Sequence, residues 1–147
     1  MIKVYTAGYM HGEGSDRPDW RADLRIACKD VFVKKYLHVG DFITWLNPGV
    51  PQGTVPGQGD PKLFGPRDVL QIQRCDVVIV YFDLDVARSM GAALEVGLAY
   101  AWQKRIIMVD RSPDIGSLDF PRQLVDAVYP DLGSAAKALL FIAEGFK

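Results

Sequence analysis

A chain of 147 residues with 49% apolar side chains has the size and the core material of one ordinary domain, read here as spanning residues 1–147. Its net charge of −1 argues against a nucleic-acid polymer as partner, which selects a basic face, but leaves room for a single nucleotide. No apolar run approaches the ~20 residues needed to span a membrane. A strand-like segment opens the chain, so no signal peptide is expected. Cys28 and Cys75 show neither metal-ligand spacing nor a disulfide framework, and read as reduced core thiols of a cytoplasmic protein.

Ile2–Ala7 reads as a short buried strand closed by Gly8. After a glycine-containing loop, Ser15 or Asp16 is placed to cap a helix with Pro18 in its first turn. From Asp19 to about Lys35 the apolar residues Trp20, Leu24, Ala27, Cys28 and Val31 recur at helical spacing. Phe42–Leu46 reads as a second strand. Asn47–Leu63 holds four prolines and four glycines and is expected to form a long irregular loop. Pro66 then starts a short helix through Arg74. Val77–Phe82 is a continuous apolar run, as in a strand covered on both faces. Ser89 or Met90 through Trp102 is a helix rich in Ala and Leu, Ile106–Val109 a strand, Ala127–Tyr129 a last strand, and Gly133–Glu144 a closing helix. This alternation predicts an α/β domain with a mostly parallel sheet flanked by helices. Ligands of such sheets bind beyond the carboxyl ends of the strands, near the switch point. The loop after Ala7, the helix from Pro66 and the loop Asp83–Ser89 converge there.

Glu95 is the only carboxylate between Met90 and Trp102. It is either a solvated residue on an exposed stripe or a carboxylate held in a pocket. Gly91, four residues earlier on the same helix face, would leave space above it for a ligand. Asp68 has two readings, a first-turn residue favouring the helix dipole or a carboxyl at the pocket rim that handles a proton. Tyr5 is a core strand tyrosine or one whose hydroxyl reaches the nucleophile or the sugar. Ser89 is an N-cap or, with its free helix N–H groups, a phosphate site assisted by Arg88. His11 and His38 are isolated, so no metal is expected. Neither a Walker loop nor the dinucleotide fingerprint is present, and no cofactor is expected.

In chain order, Val4-Tyr5-Thr6-Ala7-Gly8, Arg67-Asp68 through Asp76 with Val77-Val78-Ile79-Val80, and Ser89-Met90-Gly91-Ala92-Ala93-Leu94-Glu95-Val96-Gly97 resemble three segments of the nucleoside 2-deoxyribosyltransferase family. The match spans about two thirds of the chain, from the first strand to the strand at Ile106. The resemblance implies a flavodoxin-like (Rossmann-like) sandwich with a five-stranded sheet. It also implies a covalent mechanism in which Glu95 attacks the anomeric carbon, Asp68 protonates the departing base and Tyr5 orients or tunes Glu95. Gly8 and Gly91 would border the substrate. Where the transferases carry a second Asp, six residues before the nucleophile, this chain has Ser89. In this it is similar to the family's 2'-deoxynucleoside 5'-monophosphate N-hydrolase branch, where the serine contacts the 5'-phosphate. A neutral donor in place of a carboxylate suits a phosphate electrostatically. The resemblance further implies a homodimer or larger homo-oligomer, with Ser112 or Ser117 as candidates for completing a neighbouring pocket. The expected partner is a small-molecule nucleoside or nucleotide. The competing readings are a non-catalytic nucleotide-binding or sensor module, and a flavin protein, which the lack of a Ser/Thr-rich phosphate loop disfavours. Trp45 and Phe64 are candidates for stacking on the base, against core packing as the plainer use.

Overall fold

The computed structural model describes residues 1–8, 19–34, 42–46, 61–82, 90–111 and 119–145. Along these residues run β1 (Ile2–Ala7), α1 (Trp20–Val33), β2 (Ile43–Leu46), α2 (Pro61–Arg74), β3 (Val77–Phe82), α3 (Met90–Ala101), β4 (Arg105–Asp110), α4 (Asp119–Gln123), β5 (Ala127–Tyr129) and α5 (Leu132–Gly145). The strands form one sheet in the order β2-β1-β3-β4-β5. Every pairing is parallel, with Ile2 opposite Ile43, Val4 opposite Val77, Val77 opposite Arg105 and Ile107 opposite Ala127. This is the flavodoxin-like order, in which the chain builds outward from β1 in both directions and the switch point lies between β1 and β3.

Side chains alternate across the strands and divide the core in two. Ile2, Val4, Ile79 and Val109 face α1 and α5, packing on Trp20, Leu24, Phe32, Ala135 and Leu139. Tyr5, Ala7, Val78, Val80 and Met108 face α2 and α3, packing on Ile72, Val96 and Ala99. All six residues of β3 are buried, which is why its sequence is apolar without alternation. Cys28 and Cys75 are free and buried. Burial pushes their thiols up to about 12 and about 11, so neither offers a reactive thiolate.

Three helix starts differ from the sequence expectation. The α1 cap is Asp19, whose Oδ1 accepts from the Ala22 N–H at 3.2 Å. Ser15, Asp16 and Pro18 lie outside the described residues. Helix α2 begins at Pro61, so Pro66 lies inside the helix and residues 61–63 do not belong to an irregular loop. An internal proline removes one backbone hydrogen bond and is more usual in a first turn, which is why the sequence pattern points to a start at Pro66. Helix α4 was not foreseen, since five residues carry too little periodicity to register. It is tied to the end of β4 by an ion pair in which Arg122 donates to the buried Asp110 carboxylate.

At the amino edge of the sheet two aspartates join neighbouring strands. Asp76 Oδ2 accepts from the Lys3 N–H at 2.7 Å while the Asp76 N–H donates to the Lys3 carbonyl at 2.8 Å. Asp126 makes the same reciprocal pair with Ile106, at 2.7 and 2.9 Å. Each residue stands just ahead of its strand and fixes the starting register against a neighbour.

Candidate active site

Strand β1 and helix α3 meet beside the switch point, on the α2/α3 side of the sheet. Tyr5, with no exposed surface, donates its hydroxyl to Glu95 Oε1 at 2.7 Å. Glu95 lies in the second turn of α3, between a buried stripe (Ala92, Val96, Ala99) and the outward Leu94 and Tyr100. It is partly buried, and it is therefore not the solvated glutamate of an exposed stripe. Burial pushes its carboxyl up to about 7, and the Asp68 charge adds to this. The Tyr5 hydrogen bond and the Arg21 charge pull the other way. For Tyr5 burial dominates and the Glu95 charge reinforces it, so the phenol is held well above its usual range and stays protonated.

Asp68 is the eighth of the 14 residues of α2, and the first turn carries no acidic residue. The helix-dipole account of Asp68 therefore fails, because that interaction fades beyond the first turn. Asp68 is partly buried, and burial raises its carboxyl above the usual range against the lowering charges of Arg67 and Arg21. Its own charge acts on both Tyr5 and Glu95, so the three side chains share one electrostatic neighbourhood. Gathering two carboxyls with raised pKa values and a buried phenol at the ligand-binding end of such a sheet can serve proton transfer and nucleophilic attack.

Gly8 follows β1 with φ near 140°, and a Cβ there would lie 3.0 Å from the Tyr81 carbonyl and 3.1 Å from the Trp20 ring. Only glycine fits this close approach. Gly91 is exposed in the first turn of α3. Trp45 packs partly buried against the α1 side of the core, with the Arg25 guanidinium 5.7 Å from its ring centre. That placement gives it a structural use. Ser89, Arg88, Ser112, Ser117, His11 and His38 lie outside the described residues, as does most of the Pro/Gly-rich stretch. Among the described residues no group of three or more His, Cys, Asp and Glu is placed to hold a metal ion, and no helix is long and apolar enough to cross a membrane.

Arg21 had drawn no attention in the sequence. It is 9% exposed on α1, and it donates from Nε to Thr6 Oγ1 at 3.1 Å and from Nη2 to the Thr6 and Gly8 carbonyls at 3.1 and 3.3 Å. One signal was available: Arg21, Leu24 and Cys28 follow i, i+3, i+7 spacing, which puts a cation on the buried stripe.

No protein-family model matches the chain, and no curated protein matches it. Among solved structures it is similar to a conserved protein from Enterococcus faecalis V583, with 16% identity, a TM-score of 0.66, and 95% of this chain and 97% of that one covered. It is also similar to BlsM, at 21% identity and a TM-score of 0.59 over 94% of this chain and 86% of that one. A third likeness is the Clostridium botulinum CMP N-glycosidase BcmB, at 15% identity and a TM-score of 0.54 over 95% and 98% of the two chains. At such identities the likeness is one of fold. The fold is the α/β sandwich that the sequence resemblance implied, carried over nearly the whole length of each chain.

Proposed function

We propose that this protein cleaves the N-glycosidic bond of a (2'-deoxy)nucleoside 5'-monophosphate or nucleoside through a covalent glycosyl-Glu95 intermediate. The observation that carries the reading is the Tyr5–Glu95 hydrogen bond of 2.7 Å, made by a partly buried glutamate beside the switch point. The CMP N-glycosidase among the structural likenesses supports it from outside the chain.

In the first step the Glu95 oxygen not held by Tyr5 bonds to the anomeric carbon. The N-glycosidic bond breaks, its electron pair leaves with the base, and the Asp68 proton goes to the base. In the second step a water, deprotonated by Asp68, displaces Glu95 and yields the free sugar phosphate; a second base in its place makes the reaction a transfer. The reactive form holds one proton over two carboxyls, on Asp68 rather than Glu95. Tyr5 donates to Glu95 alone, which favours that arrangement once a base nitrogen draws the proton toward Asp68. Ser89, with Arg88, takes the 5'-phosphate, while Gly8 and Gly91 border the substrate. The protein works as a homodimer or larger homo-oligomer.

The last proton of the pair leaves near the pH of about 7 at which Glu95 titrates. Base release is therefore expected to fall as pH rises through about 7, where neither carboxyl retains a proton for the leaving base. The test is chromatography of deoxynucleosides and their 5'-monophosphates incubated with the protein, with and without a second free base, across pH. Free base from monophosphates alone supports hydrolysis with the Ser89 role; a new nucleoside only with acceptor base makes it a transferase. Binding without any product would replace the enzyme by a nucleotide-binding module.

A further inference from the structure

We propose that Arg21 is a positioning residue for this site: bound to Thr6 and Gly8, its guanidinium fixes the carboxyl end of β1 and so holds the Tyr5 hydroxyl against Glu95. Thr6 and Tyr5 are adjacent on β1 and point to opposite faces of the sheet. Thr6 belongs with α1, and Tyr5 with α2 and α3. The described pairing of β1 with β2 ends at Tyr5–Leu46, one residue short of Thr6. The ladder with β3 continues to Ala7–Val80, and Arg21 adds ties to one hydroxyl and to two carbonyls two residues apart on the same strand end.

The arginine is itself held. Its guanidinium lies 4.5 Å from the Trp20 ring centre, and Trp20 stacks on Tyr81 of β3 at 5.0 Å between centroids and 8° between planes. The Gly8 turn fits against the Tyr81 carbonyl and the same Trp20 ring. Arg21, Trp20 and Tyr81 thus form a column that grips the strand end beneath Tyr5. A leucine on this stripe would fill the helix interface without the desolvation a buried cation costs. A lysine would keep the charge but replace the planar fork by a single ammonium, which cannot span three acceptors in the same geometry.

The fixed cation also bears on the proton inventory of the site. Among the described residues, the groups that act on Glu95 are Tyr5 from β1, Asp68 from α2 and Arg21 from α1, with Arg67 acting on Asp68. Among the described residues, Arg21 is the cation that lowers both carboxyls and the Tyr5 phenol. Removing it raises the pH at which the last proton leaves.

The activity arm of the test rests on the N-glycosidase reading; the titration arm does not. Carbon-13 titration of the Glu95 carboxyl, thermal melting and base-release kinetics are measured on the wild-type protein, Arg21→Gln and Arg21→Lys. In Arg21→Gln the Glu95 transition should rise by about one pH unit, and kcat should fall roughly 100-fold with little change in KM. In Arg21→Lys the transition should return toward the wild-type position while kcat stays at least about tenfold low, because the charge is restored and the fork is not. Where Arg21→Gln does not fold, Thr6→Val removes one acceptor of the fork, and its kcat should fall several-fold; an unchanged kcat there would overturn the assignment. Variants that melt earlier yet keep the wild-type transition and kcat would reduce Arg21 to a structural part. Were the wild-type protein to release no base at all, the N-glycosidase reading would fall, and loss of the hydrogen-bonded Tyr5 hydroxyl proton signal in both Arg21→Gln and Arg21→Lys would still uphold the positioning role; a signal unchanged in both would remove it.

Discussion

Glu95, the nucleophile of the proposed reaction, is a thermodynamic burden to the fold. Its carboxyl titrates near 7 in the folded chain, against about 4.5 for the ordinary group, mainly because burial disfavours the charge. Between those values the folded state keeps a proton that the unfolded state has released. Glu95 therefore contributes most favourably below about pH 4.5, and this contribution is lost as pH rises through about 7. Glutamine has no charge to bury and still offers Tyr5 an acceptor. Glu95→Gln is expected to match the wild-type melting temperature at pH 4 and to exceed it at pH 8, by on the order of 2 kcal/mol in stability. Equal melting at both pH values would mean that Glu95 is not held in a desolvating environment. The same variant should release no base, since an amide cannot form the glycosyl ester.

At the scale of elements, helix and strand ends separate the acidic residues gathered at the candidate site from those that hold the fold. Asp68 and Asp76 appear together in the sequence motif, eight positions apart, but the structure gives them different work. Helix α2 extends back to Pro61, which removes Asp68 from the first turn and places it mid-helix, partly buried, near the Tyr5–Glu95 pair. Asp76 stands ahead of β3 and locks it to the start of β1, at the end of the sheet opposite the site. Asp76→Ala is expected to lower stability by about 1 kcal/mol, read by denaturant unfolding. Its base-release rate per folded molecule should stay that of the wild type, whereas Asp68→Ala should lose activity with the fold retained. A loss of activity in folded Asp76→Ala would place that residue in the chemistry instead.

Over the whole molecule, protection should follow the sheet order. Strand β3 is the central strand and all of it is buried, while β5 is a three-residue edge strand with Val128 exposed. Hydrogen exchange should therefore be slowest in residues 77–82 and much faster in 127–129. Faster exchange in β3 than in β5 would contradict this assembly of the sheet. Local patterning was enough to read β1, β3 and β5 at their observed bounds, because an apolar run or its alternation records how a strand is covered. It offered Tyr5, Asp68 and Glu95 beside plainer structural readings, and the family resemblance supplied the roles proposed for them. Local patterning could not register the Tyr5–Glu95 contact as a distance, since its partners are 90 residues apart and meet only after the chain has crossed the sheet. Nor did it reveal Arg21, which looks like any surface arginine until α1 docks and sets it under the end of β1. The sequence alone determined an α/β chain and, through the family resemblance, named the carboxylates proposed for its chemistry, because periodicity and residue type are local properties. Only the tertiary structure decided the strand order, the partner of each carboxylate and the cation behind them, because burial and charge depend on what the fold brings near.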